Sequence, residues 1–145
     1  GHEIEYVPEL VYIGSELPSG GIAPSSQDHG YALAKHFFTQ RKHKKINFDG
    51  LVVADDMVTD GALAALREMN ILPGRDIQIA TLANSGSPIL YRREKQLVMI
   101  DFDTHEIVHE MFALLDLIMD GKPPARRFRY VMPRLREASA LHEFV

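Results

Sequence analysis

Two acids in succession, Asp55 and Asp56, close an apolar run of strand length, Leu51-Val52-Val53-Ala54, and apolar residues then recur at helical spacing through Val58, Ala62, Leu66 and Met69. Carboxylates at such a junction can do two things. At the carboxyl edge of a parallel sheet, where ligands of open α/β sheets bind, they accept hydrogen bonds from a polar ligand. Alternatively, one of them caps the next helix, its side-chain oxygen accepting from free backbone N–H groups, and Asp56 is the stronger candidate for that. Asn84, just after the next strand, shares this edge, and Asp60 and Asp101 are further acids near it.

A second constellation, His105-Glu106-Ile107-Val108-His109, fits H-E-x-x-H, in which two histidines one turn apart hold zinc and the glutamate activates water. A catalytic zinc needs a third protein ligand, and the continuation EMFALL offers none; the next carboxylate with room to fold back is Glu137. The pair therefore reads as histidines at the exposed entry of a helix, with a zinc hydrolase as the alternative. His29, His36 and His43, seven residues apart, fall on one helix face at the surface. No G-x-S-x-G elbow, G-x-G-x-x-G or phosphate loop occurs. The acid pair falls after the second visible strand and no lysine ends a later one, which excludes a phosphoacceptor receiver arrangement.

The 145 residues suffice for one domain with a real core, and 46% hydrophobic and 25% charged residues are ordinary for a soluble protein. A net charge of −4 provides no basic surface for nucleic acid. The absence of cysteine removes disulfides, thiolate nucleophiles and cysteine-based zinc sites together. No apolar run is long enough to span a membrane and GHEIEYVPEL is not a signal segment, so the reading is cytoplasmic.

The elements that would position these groups follow in order. ELVYIG (9–14) reads as a strand, and SELPSGGIAPSSQDHG as a long loop ending in Asp28, a cap for a helix through Tyr31, Leu33, Ala34, Phe37 and Phe38. RKHKK (41–45) stops that helix. The 48–81 stretch is strand, helix and strand, the second strand running Ile77 to Thr81, and a unit of this kind implies parallel strands joined by a crossover. LANSGSPILYRREK connects to a strand at 96–102. Thr104 then caps a helix to Met119 that is apolar nearly all round, so something beyond the local sheet must cover it. One more short strand lies in RRFRYVMPRLREAS, with Pro133 at its end.

Taken together, Ala54-Asp55-Asp56-Met57, Gly61-Ala62-Leu63-x-Ala65-Leu66-x-Glu68, Leu72-Pro73-x-x-x-Asp76-Ile77, QLVMIDFD, Gly121-Lys122-Pro123-Pro124 and Pro133-Arg134-Leu135-x-x-Glu137-x-Ser139 resemble, in order and spacing, the effector-binding domain of the LacI/GalR family of bacterial transcription regulators. The resemblance covers nearly the whole chain. It implies an α/β fold, a three-layer α/β/α sandwich with a mostly parallel sheet, as in one lobe of a periplasmic-binding-protein-like domain. It further implies a C-terminal fragment lacking the DNA-binding head and first lobe, the latter being what would cover the apolar helix.

On the same footing, the chain is expected to bind a small, sugar-like metabolite, to work as a homodimer, to meet DNA only through a domain it lacks, to need no cofactor and to catalyse nothing. Ser15 or Glu16, at the end of the first strand, and Asp55 match places where the family touches ligand. Two departures affect specificity. Thr81-Leu82-Ala83 stands where the family commonly has Gly-Phe/Tyr-Asp, and the arginine often supplied by the missing first strand-helix unit is absent. A periplasmic solute-binding protein of the same fold is the alternative.

Overall fold

A computed structural model describes Val11 and residues 25–41, 49–91, 93, 96–122, 126 and 128–136. The expected strand at 9–14, Ser15, Glu16, most of the following loop, the basic run beyond Arg41, Glu137 and Ser139 lie outside the described residues. Those described form an α/β fold in the order α1 (Ser26–Arg41), β1 (Gly50–Val53), α2 (Asp56–Glu68), β2 (Gln78–Asn84), β3 (Val98–Phe102), α3 (Thr104–Met119) and β4 (Arg134–Arg136). The sheet runs β1-β2-β3-β4. β1 pairs β2 and β2 pairs β3 in parallel, while β4 returns antiparallel on β3.

The strand–helix–strand unit is thus built as the apolar patterns require, with α2 joining two parallel neighbours. Its second strand continues three residues past Thr81, so Asn84 is the last residue of β2 rather than the first of a loop. Alternation along β2 buries Ile79, Thr81 and Ala83 on one face. With Val53, Leu63, Leu66, Ile77, Leu97 and Met99 they make the core between sheet and α2. Leu90, from a connection that reads as polar, drops into the same core at 4% exposure. Ladder partners lie on a common face, so Val52, Ala80 and Val98, and Leu82, Ile100 and Leu135, share the opposite side of the sheet. No described helix covers that side, and Val52 is 83% exposed. The expected α/β fold with a mostly parallel sheet is thus observed, the helix cover among the described residues lying on the α2 face.

α1 packs along α2 rather than on the sheet, and two glycines permit the closeness. A Cβ at Gly30 would overlap the carbonyl of Val58, and one at Gly61 the carbonyl of Gln27. Ala34, Ala62 and Ala65 fill the same seam with small side chains. Outside it, Lys35 reaches Glu68 at 2.7 Å and Tyr31 at 2.7 Å, while Tyr31 also donates to Glu68. The hydrogen bond to Glu68 pushes the Lys35 ammonium up and that from Lys35 holds the Glu68 carboxyl below its ordinary value. These groups are exposed, so their contribution is small.

Caps are where the sequence reading needs correcting. α1 is entered through Ser25, whose hydroxyl accepts from Asp28 N–H at 3.1 Å and donates to the Asp28 carboxylate at 2.7 Å, so Asp28 lies within the first turn. At α3 the cap is Asp103, accepting from the N–H groups of His105 and Glu106, and Thr104 is already helical. Cap identity depends on which residue keeps extended φ/ψ, and a run of polar residues leaves that open by one position. β4 likewise begins after Pro133, whose missing N–H suits it to a strand's entry rather than its end.

Candidate ligand-binding site

The carboxyl ends of β1, β2 and β3 lie side by side, because the three strands are parallel and in sequence order. β1 delivers Asp55. This residue holds φ −155° and ψ 169° and caps α2, one carboxylate oxygen accepting from Val58 N–H at 2.8 Å. The sequence reading favoured Asp56 for the cap; Asp56 is instead the first residue of the helix. Asp55 remains exposed, and its recorded hydrogen bond among the described residues is this cap contact to Val58 N–H. A capping carboxylate of this kind is rigid and still has acceptor capacity directed away from the helix.

The backbone that carries Asp55 is pinned from behind. Thr59 Oγ1 donates to the Asp55 carbonyl at 2.6 Å and lies 2.7 Å from Thr81 Oγ1. Either hydroxyl can be the donor of this pair, since Thr59 Oγ1 also reaches the Asp55 carbonyl and Thr81 Oγ1 the Leu82 carbonyl at 3.1 Å. Both threonines are at most 1% exposed. This buried pair links the end of β1, the first turn of α2 and the middle of β2. Sequence periodicity places Thr59 on the inner face of α2, but its partner in the next element, β2, is a tertiary fact that no local pattern signals.

Asp56 is 5% exposed and one of its carboxylate oxygens has no hydrogen-bond partner. Its neighbours one turn on are Thr59 and Asp60, the latter 3.6 Å from Arg93 in the connection after β2. Asn84 ends β2 exposed, and its carbonyl accepts from Ser87 N–H at 2.9 Å in a turn that Gly86 closes with φ 78°. Through the register, Asn84 shares the open face with its partner Phe102, whereas Asp101 sits opposite Ala83 on the α2 face. The Asp101 carboxylate is gripped by Arg136 from β4, Nε at 2.9 Å and Nη2 at 3.0 Å. Arg136 was not singled out from the sequence, and the signal for it was only an arginine on a strand. Asp55, Asp56 and Asn84 thus lie at the carboxyl ends of β1 and β2, and Asp101, near the end of β3, is paired with Arg136.

His105 and His109 are exposed, one helix turn apart on α3, with His109 Nδ1 3.9 Å from Glu110. Among the described residues no group of three histidines or carboxylates could hold a metal. None of the described helices is long and apolar enough to cross a membrane. Asp55, Asp56 and Asn84 follow the carboxyl ends of β1 and β2 as an exposed capping carboxylate, a buried carboxylate and an exposed carboxamide.

Residues 14–138 match the model of the periplasmic binding protein-like domain family. Among solved structures, the chain resembles a complex of the transcriptional regulator CelR with cellobiose, at 20% identity and a TM-score of 0.61 over 78% of this chain and 33% of that one. It also resembles a galactofuranose-binding protein, at 18% identity and TM-score 0.61 over 81% of this chain and 39% of that one. A LacI-family regulatory protein from Chloroflexus aggregans matches at 20% identity and TM-score 0.60 over 80% and 41%. The chain therefore spans between a third and about two-fifths of the length of these structures. A comparison with curated protein sequences finds no match.

Proposed function

The chain belongs to the periplasmic binding protein-like domain family, and from that premise we propose that it is the C-terminal part of the effector-binding and dimerisation region of a LacI-type transcription regulator. Its ligand is a small polar metabolite, sugar-like in carrying several hydroxyl donors. The observation that carries the reading is the edge itself, where Asp55 is fixed by its cap bond and by the Thr59–Thr81 pair yet remains exposed. Neighbours named for cellobiose and galactofuranose support the ligand class. Specificity differs from the familiar sugar repressors, because Thr81-Leu82-Ala83 puts no carboxylate on β2 and leaves Asn84 as the polar group there.

The mechanism this reading implies is population shift. An effector that binds one arrangement of two lobes better than the other shifts the equilibrium by its differential affinity and no more. The strands contributed here would supply one wall of the ligand cleft. DNA contact would belong to a separate domain of the whole protein, consistent with this chain's net charge of −4. The protein is proposed to act in the cytoplasm, without a cofactor and without catalysis.

The second reading, a periplasmic solute-binding protein of the same fold, is favoured by the galactofuranose-binding neighbour. The complete gene separates the two. A helix-turn-helix encoded upstream, with operator binding released by a sugar in a gel-shift assay, supports the regulator. A cleavable signal peptide with sugar binding and no DNA binding supports the transport protein.

A further inference from the structure

Asp56 opens α2 directly after the carboxyl end of β1, is 5% exposed, and its Oδ2 has no hydrogen-bond partner among the described residues. The donors that its place in the fold would offer are committed elsewhere. The first turn of a helix ordinarily serves an acid through its free N–H groups. Here Val58 N–H donates to the Asp55 carboxylate at 2.8 Å and Thr59 N–H to the Asp55 carbonyl at 3.0 Å. The Thr59 hydroxyl is engaged by that same carbonyl and by Thr81. An ionised carboxylate withdrawn from water without a donor is costly, so the group calls for a match from outside these elements.

Charge at this end of the sheet indicates what the match is. Asp60, one turn on along the same helix face, is paired with Arg93 at 3.6 Å, an ion pair too long for a hydrogen bond. Asp101, near the end of β3, is paired with Arg136. Arg93 and Arg136 thus each serve a carboxylate of their own, and neither compensates Asp55 or Asp56. A phosphate or carboxylate on a ligand would meet net negative charge there, whereas an ammonium group would meet an acceptor that lacks a donor.

We infer that the effector is a polyhydroxylated amine, with the chemistry of an amino sugar, whose ammonium group donates to Asp56 while its hydroxyl groups meet Asp55. The inference deepens the sugar-like reading of the effector and rests on it. The Asp60–Arg93 pair, with side chains 34% and 25% exposed, is the weak contact on that helix face that parts as the amine enters.

Isothermal titration calorimetry of the 145-residue chain at about pH 6, where such amines are protonated, tests it with matched probes. These are glucose, galactose and mannose, then glucosamine, galactosamine and mannosamine, then the N-acetylated forms, and a glucose phosphate. Within at least one set the amine should bind about tenfold or more tighter than its parent sugar, the difference a charge-assisted hydrogen bond makes. N-acetylation, which removes the charge, should abolish that advantage, and the phosphate should bind most weakly. Asp56→Asn should erase the preference. Because it removes an unmatched buried charge at nearly constant shape, it should also raise the melting temperature of the ligand-free chain by a few degrees. Amines and parent sugars that bind alike, or a phosphate that binds tightest, would overturn the inference and leave the sugar-like reading standing. No binding by any probe would overturn both. A preference that survives Asp56→Asn, or a variant that melts lower or does not fold, would mean that the Asp56 carboxylate is matched within the fold and would overturn its assignment.

Discussion

Gly61 offers a substitution whose sign depends on the packing of α1 against α2. At an open helical position, Gly→Ala stabilises by about 1 kcal/mol, because alanine restricts the unfolded chain and favours the helix. Here a Cβ would overlap the Gln27 carbonyl and stand 2.8 Å from Tyr31 N, both backbone atoms that cannot rotate away. The helices must part by about an ångström, opening the seam that Ala34, Ala62 and Ala65 fill, and overpacking of that kind costs about 1–3 kcal/mol or more. Since the obstacle is backbone, the upper part of that range applies, and the net loss is about 2 kcal/mol after the propensity gain. Urea unfolding followed by circular dichroism should move the midpoint of Gly61→Ala down by about 1 M, given a slope of about 1–3 kcal/mol/M. Gly30→Ala should do the same, and the double variant should lose less than the sum, because one separation of the helices relieves both clashes. A Gly61→Ala protein as stable as the wild type, or more so, would refute the close crossing.

Thr59→Val keeps the shape but removes the donor to the Asp55 carbonyl and the hydroxyl that pairs with Thr81; unfolding should show a loss of about 1–3 kcal/mol, whereas Thr81→Val alone, leaving Thr59 bonded to Asp55, should cost less. Asp55→Ala removes the α2 cap and should lower stability by about 1 kcal/mol without unfolding the domain, and in the intact regulator it should also weaken effector affinity by roughly 1–3 kcal/mol. An unchanged effector response would confine Asp55 to capping. Asp76 is held below its ordinary value by the Arg75 guanidinium first and by Leu72 N–H second. A carboxyl lowered in the folded state adds stability that is present above its unfolded pKa and is lost as pH falls through the folded value. Asp76→Asn should therefore flatten the decline of melting temperature below about pH 4, and an equally steep decline would exclude Asp76 as a contributor.

The central unit was legible because its patterns are strong: an apolar run, a 3.6-residue period and a second apolar run specify β1, α2 and β2. The ends were less so. Asp55 and Asp56 are chemically interchangeable as caps, and only the extended backbone at Asp55 decides; at α3 the spacing Asp103-x-x-Glu106 is the cap signature that Thr104 obscured. β2 was read three residues short because Leu82-Ala83-Asn84 leads into Ser-Gly-Ser, and loop composition outweighed alternation. The apolar excess of α3 was readable in the sequence, and Met111, Phe112, Ile118 and Met119 are exposed. Contacts between distant elements were not readable: Thr59 with Thr81, Arg136 with Asp101, and Leu90 in the core arise from register and crossing geometry.

The central claim is that a small polar ligand binds at the carboxyl edge of β1 and β2. Nitrogen-15 heteronuclear correlation spectra of the chain, titrated with mono- and disaccharides up to millimolar concentration, test it most directly. The account predicts saturable shifts for one class of sugar at the amides of residues 55–59 and 84–87, abolished by Asp55→Ala. Shifts confined to the outer surface of α1 and α2, or persisting unchanged in Asp55→Ala, would contradict it.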